Sequence, residues 1–190
     1  MIVHANGLDL RCEVTGPSDA ETVVFIHGLA ASADIWSGQA ERLSDRFRTI
    51  CYDLRSHGRS QAVVKPCTRS ELAGDLIALL DALEIDRAVV VGHSGGGVVA
   101  MQSAVEHPER IRALVLVGTA SECNDATAKW YLETAEKARQ SGGEVRSVKP
   151  KSRLLTSVVC RACHGDGSWC TASKVRTAPV SYTHLRAHET

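Results

Sequence analysis

Residues 92–96 read Gly-His-Ser-Gly-Gly. One serine hydroxyl sits between glycines two positions away on each side, the pattern Gly-x-Ser-x-Gly. That spacing suits a sharp strand-to-helix turn, which lifts a serine above the end of a sheet for attack on a carbonyl. Ser94 is the candidate nucleophile. The turn strains its backbone, and Gly92 and Gly96 remove side chains that would otherwise collide. A glycine-rich turn carrying an idle serine is the plainer alternative. A phosphate-binding loop is excluded, because no Gly-Lys-Ser/Thr follows and Gly95-Gly96-Gly97 lacks dinucleotide spacing.

The flanking sequence supplies the strand and the helix that such a turn requires. Val89, Val90 and Val91 form a short β-branched run of the kind that makes a buried strand, and the small apolar residues after Ser94 suit a helix over 94–106. Earlier in the chain, residues 2–5 and 8–14 flank Asn6-Gly7, a strong hairpin signal, since a tight hairpin turn needs two residues at positive φ. Residues 22–27 and 48–53 read as buried strands, and 35–43 as a short amphipathic helix between them. Thr68 and Glu71 form a capping box for a helix over 70–83. Residues 87–91 and 111–117 complete the strands, His107-Pro108 ends the helix between them, and 125–140 reads as a further helix. Alternating strands and helices with apolar β-branched cores predict an α/β fold. Its sheet is mostly parallel, with helices on both faces, and only the first hairpin is antiparallel. Ligands bind at the carboxyl ends of strands in such sheets. Those ends carry Gly28-Leu29, Asp53, Ser94 and Gly118-Thr119.

The 190 residues suffice for one domain, and the formal net charge is zero, so nothing points to nucleic acid or an anionic membrane as partner. The first residues do not resemble a signal peptide, which leads to the expectation of a cytoplasmic protein. Its seven cysteines are then read as thiols rather than a disulfide framework.

The ordered motifs resemble those of the α/β-hydrolase superfamily. They are His27-Gly28 after the first long strand, Asp53-Leu54-Arg55-Ser56-His57-Gly58-Arg59-Ser60, the turn around Ser94, and His107-Pro108-Glu109-Arg110-Ile111 leading into a strand. The likeness covers about residues 1–145 and is strongest to 3-oxoadipate enol-lactonases, carboxylesterases and cofactor-free haloperoxidases. It implies a hydrolase of small esters or lactones that works through an acyl-enzyme with no cofactor and no metal. A non-catalytic binding protein on the same fold is the alternative. The resemblance makes Ser94 the nucleophile and gives the oxyanion two backbone N–H groups, those of Leu29 and Gly95. His27, Gly28, Gly92 and Gly96 would support the turn and the loop. Asp53 is expected to brace the loop over 55–60, and His93 to line the pocket. Serine at 94 argues against haloalkane dehalogenases and epoxide hydrolases, which use aspartate. Ser56 departs from the glycine usual in the family.

The family's acid and histidine follow the nucleophile along the chain, after a seventh and an eighth strand. No such pair is evident after Val117, so the last two strands are expected to be missing and the chain to be inactive. Glu122 and Asp125 are substitute candidates for the acid. Trp130 and Tyr131 would sit on a cap helix within 119–145, beyond a core over 1–118. Composition breaks after Val145. Up to that point Asp/Glu outnumber Lys/Arg by 20 to 14, and afterwards Lys/Arg lead by 8 to 2. Residues 180–190 resemble a translated sequencing-library adapter, and 146–190 is expected to be non-native. That stretch holds Cys160-Arg161-Ala162-Cys163-His164, formally a haem-attachment pattern, and with Cys170 a possible zinc set. Both are read as fortuitous.

Overall fold

The computed structural model describes residues 1–119, Lys129, Glu133 and the strand at 157–161. The helix read over 125–140, Glu122, Asp125, Trp130, Tyr131 and nearly all of the cysteine-rich stretch lie outside the described residues, Lys129 and Glu133 excepted; both are helical and exposed.

Seven strands form one sheet in the order β1-β2-β4-β3-β5-β6-β7. They are β1 (Ile2–Ala5), β2 (Leu8–Thr15), β3 (Thr22–Ile26), β4 (Arg48–Tyr52), β5 (Ala88–His93), β6 (Ile111–Val117) and β7 (Ser157–Arg161). The helices are α1 (Ser37–Leu43), α2 (Arg69–Ala82) and α3 (Gly95–Glu106), and a 3-10 turn at Ala33–Trp36 precedes α1. The central four strands, β4, β3, β5 and β6, are parallel. Antiparallel pairing extends further than the first hairpin. β2 also runs antiparallel to β4, and β7 runs antiparallel to β6. Strand pairing of this kind depends on which edge is open, and no local pattern encodes that. β7 lies in the stretch read as non-native, where Val158-Val159 supplies strand propensity.

From β3 the chain crosses to β4 on one side, then passes over to β5 on the other. The strand order therefore reverses between β3 and β5, the switch point at whose carboxyl ends ligands bind in open α/β sheets. Ile26 is in register with Gly92, so the segments that follow these two strands emerge side by side.

β3 is buried along its whole length and alternates between two cores. Val24 and Ile26 join Ile50, Leu76, Leu79, Leu80, Val90 and Val99 beneath α2 and α3. Val23 and Phe25 join Trp36, Ala40, Cys51 and Val91 beneath α1. Helices thus cover both faces. Asn6 and Gly7 have φ of 52° and 71°, as a tight hairpin turn requires. Cys51 is buried, which pushes its thiol up to about 12 and leaves it inert.

The capping box forms at the start of α2. The Thr68 hydroxyl accepts the Glu71 N–H at 3.2 Å, and the Glu71 carboxylate accepts the Thr68 N–H at 2.7 Å. Thr68→Ala should cost about 1 kcal/mol, read as a lower denaturant midpoint with an unchanged slope.

Candidate active site

β5 ends at His93, and α3 begins at Gly95. Ser94 alone makes the turn, with φ 51° and ψ −117°. This region is strained for any residue with a β-carbon and persists only where the surroundings over-determine it. Here the Ser94 N–H donates to the Val117 carbonyl at 2.9 Å, which ties the turn to the end of β6. A β-carbon on Gly92 would come within 2.5 Å of the Gly96 carbonyl oxygen. One on Gly96 would collide with the backbone carbonyls of Ile26 and His27. Both glycines are therefore demanded by backbone approach. α3 points its N-terminal end, with its partial positive charge, toward Ser94.

The loop at 28–32 leaves β3 beside this turn. A β-carbon on Gly28 would stand 3.1 Å from the Ser94 β-carbon and 3.1 Å from His93 Nδ1. One on Gly95 would stand 3.4 Å from the Leu29 nitrogen and 3.0 Å from Leu29 Cγ. The backbones at Leu29 and Gly95 are thus adjacent. Among the described residues, neither N–H is engaged by a hydrogen bond. The Leu29 side chain is exposed at the surface of the loop.

His27 is fully buried, and both of its ring nitrogens are occupied. Nδ1 lies 2.7 Å from the Gly28 carbonyl, and Nε2 accepts the Leu54 N–H at 3.0 Å. Only the neutral ring, protonated at Nδ1, satisfies both contacts, so His27 organises the loop and cannot accept a proton from Ser94. Burial pushes its pKa below the usual histidine value, with smaller lowering from His57 and His93 and opposing contributions from the Gly28 carbonyl and Asp53. The unfolded chain binds this proton near pH 6.5, and the folded chain binds it only at lower pH. Stability is therefore full above about pH 6.5 and falls as pH drops below it, by at most about 1.4 kcal/mol per pH unit. Thermal melts between neutral and mildly acidic pH should show this slope, and His27→Gln should flatten it.

Asp53 is buried and follows β4. Oδ2 accepts the Arg59 N–H at 2.9 Å, and the Asp53 carbonyl accepts the Ser60 hydroxyl at 2.7 Å, so Asp53 does brace the loop over 55–60. Its other carboxylate oxygen, Oδ1, accepts the Ala33 N–H at 2.6 Å. That contact joins residues twenty positions apart, and no sequence signal announced it. Ser56 has φ 60°, a region that favours glycine, which accounts for the family's usual residue there. Its hydroxyl instead bridges Val63, accepting the N–H at 2.9 Å.

Among the described residues no histidine is placed as a base for Ser94. His4 pairs with Asp9 in the first hairpin at 3.0 Å. His57 is held by the Arg55 carbonyl and lies against His27, with ring centroids 5.3 Å apart. His107 lies at the far end of α3, about 18 Å along the helix. His93 packs edge-on against Trp36, with Nδ1 buried and unpartnered among the described residues. No group of three or more potential metal ligands occurs among the described residues, and no helix among them is long and apolar enough to cross a membrane.

A family model described as the alpha/beta hydrolase fold matches residues 21–148. A protein from Caulobacter sp., provisionally named a carbamate hydrolase, is 41% identical over 104 residues, 54% of this chain and 39% of that protein. The 3-oxoadipate enol-lactonase 2 of Acinetobacter baylyi is 33% identical over 138 residues, 73% of this chain and 51% of that protein. The crystal structure of the enol-lactonase from Burkholderia xenovorans superposes with a TM-score of 0.71 at 33% identity, over 75% of this chain and 55% of that one. The chain thus spans about half the length, or less, of the relatives it matches.

Proposed function

The chain belongs to the alpha/beta hydrolase fold family, and on that premise we propose that it carries the nucleophile half of a hydrolase acting on small esters or lactones. Ser94 Oγ attacks the substrate carbonyl while a base takes its proton. The Leu29 and Gly95 N–H groups hold the oxyanion of the tetrahedral intermediate. Collapse expels the leaving oxygen and leaves an acyl-enzyme, which water then hydrolyses. The observation that carries this reading is the strained Ser94 backbone at φ 51°, with the Leu29 and Gly95 backbones beside it. The enol-lactonase relatives favour a lactone or ester substrate, and the relative named for carbamate hydrolysis makes a carbamate the next candidate. In this reading residues 1–118 form the hydrolase core, 119–145 begin a cap and 146–190 add nothing to the site. The reaction needs neither cofactor nor metal.

A hydroxyl without a base is a poor nucleophile. Among the described residues no histidine is placed as a base, which favours a binding role as the second reading. The deciding experiment joins residues 1–145 to the C-terminal half of the Burkholderia xenovorans enol-lactonase and assays an aryl ester and an enol-lactone. Turnover that depends on Ser94 supports the hydrolase. A folded chimera that binds these compounds without turning them over supports the binding protein.

A further inference from the structure

The loop at 28–32 contains an unusual backbone. Ala30, directly after Leu29, has φ 56°. An L side chain avoids that region unless its neighbours leave no alternative. Two hydrogen bonds from consecutive residues at the exit of β4 hold the two ends of this loop. At the near end, the Leu54 N–H donates to His27 Nε2 at 3.0 Å, and the His27 ring in turn holds the Gly28 carbonyl. At the far end, Asp53 Oδ1 accepts the Ala33 N–H at 2.6 Å. Ala33 opens the 3-10 turn, whose own preceding residue, Ser32, makes no side-chain cap. Asp53 is therefore the cap, supplied from another strand.

The remaining carboxylate oxygen is committed to the Arg59 N–H, and a β-carbon on Gly58 would collide with this carboxylate. The Asp53 backbone is fixed as well, since its N–H donates to the Arg11 carbonyl at 2.9 Å and its carbonyl accepts the Ser60 hydroxyl. The group gripping the loop thus has little freedom of its own.

We infer that Asp53 is a positioning residue for the oxyanion loop: its carboxylate, shared between the Ala33 and Arg59 N–H groups, holds the loop in the shape that brings the Leu29 N–H beside Ser94. This rests on the reading of Leu29 as an oxyanion donor. Asp53 touches no reacting atom and acts through the backbone of residues 29–33.

The test uses the full 190-residue chain with Asp53→Asn and Asp53→Ala, read by amide hydrogen exchange. The amides of Leu79 and Leu80 in α2 serve as the internal reference for folding. A carboxamide offers one acceptor oxygen where the carboxylate offers two. In Asp53→Asn one of the Ala33 and Arg59 amides should keep its protection, and the other should exchange about tenfold faster or more. In Asp53→Ala both should accelerate, and the Leu29 amide resonance should shift in each variant. The second arm is the rate at which a fluorophosphonate labels Ser94, with added imidazole as base. In that step the Oγ–P bond forms, the P–F bond breaks, fluoride leaves and imidazole takes the hydroxyl proton. Labelling should slow by about 100-fold in Asp53→Ala, the effect of losing one oxyanion donor, and by less in Asp53→Asn. Wild-type protection at both Ala33 and Arg59 in the two variants overturns the inference. So does a loosened loop with an unchanged labelling rate. If the wild-type chain is not labelled at Ser94, the nucleophile reading fails instead, and the exchange arm alone decides whether Asp53 holds the loop.

Discussion

Ser94→Ala should reduce ester or lactone hydrolysis by about a million-fold in kcat when the chain is joined to a C-terminal half that supplies the base. The size follows from what the hydroxyl does. Without it no acyl-enzyme forms, and the base has no proton to remove. What survives is the contribution of the oxyanion donors and of binding, roughly a thousand- to ten-thousand-fold over water. KM should change little, because alanine leaves the pocket wall nearly intact. The measurement is steady-state kinetics on an aryl ester and an enol-lactone, with intact mass to detect the acyl-enzyme before and after substitution. Substantial activity in Ser94→Ala would end the nucleophile assignment. The strained backbone adds a second readout. Serine at φ 51° stores roughly 1–3 kcal/mol, and the strain remains in Ser94→Ala, so a loss of activity should come without a loss of stability.

Asp75→Ala should destabilise the fold by about 3–5 kcal/mol. Asp75 is 1% exposed, and its carboxylate meets Arg55 twice: Nε donates to Oδ2 at 2.6 Å and the terminal nitrogen to Oδ1 at 2.6 Å. Asn6 of the first hairpin donates to Oδ1 at 2.7 Å. Three distant pieces of chain, the hairpin turn, the segment after β4 and α2, therefore meet on one carboxylate. The hydrogen bonds to Asp75 hold the Arg55 guanidinium above its ordinary pKa, so it stays charged. Removing the carboxylate leaves that buried charge with only the half-exposed Glu71 carboxylate, 3.9 Å away, which costs more than the pair contributes. The loss is a large part of a total stability of about 5–15 kcal/mol. Urea unfolding should show it as a shifted midpoint. Replacing both partners together, Arg55→Met with Asp75→Leu, should recover most of the loss. A single Asp75→Ala change of less than about 1 kcal/mol would show that the pair is not desolvated as its burial implies.

Much of the scaffold was legible along the chain. β3, β5 and β6 announce themselves as apolar β-branched runs, the hairpin by Asn6-Gly7 and the start of α2 by Thr68 and Glu71. The 3-10 turn at Ala33–Trp36 was less legible. Residues 35–43 read as one amphipathic helix, but tertiary packing set Trp36 against Phe25 and His93. The part of the site carried by the turn itself was legible for a similar reason. Gly92 and Gly96 are needed by backbone atoms close to them in sequence or on the adjoining strand, so the residue types record the constraint.

The sequence by itself determined the parallel centre of the sheet, the strand-to-helix turn at Ser94 and the family to which the chain belongs. Each of these rests on short-range rules: side-chain periodicity, capping and steric room at glycine. Only the tertiary structure decided that β2 and β7 pair antiparallel, that Asp53 reaches across to Ala33 and that Asn6, Arg55 and Asp75 meet. Such contacts join residues far apart in the chain. Their free energy comes from burial and from hydrogen bonds that exist only once the sheet has brought the partners together, so nothing in the local spacing could specify them.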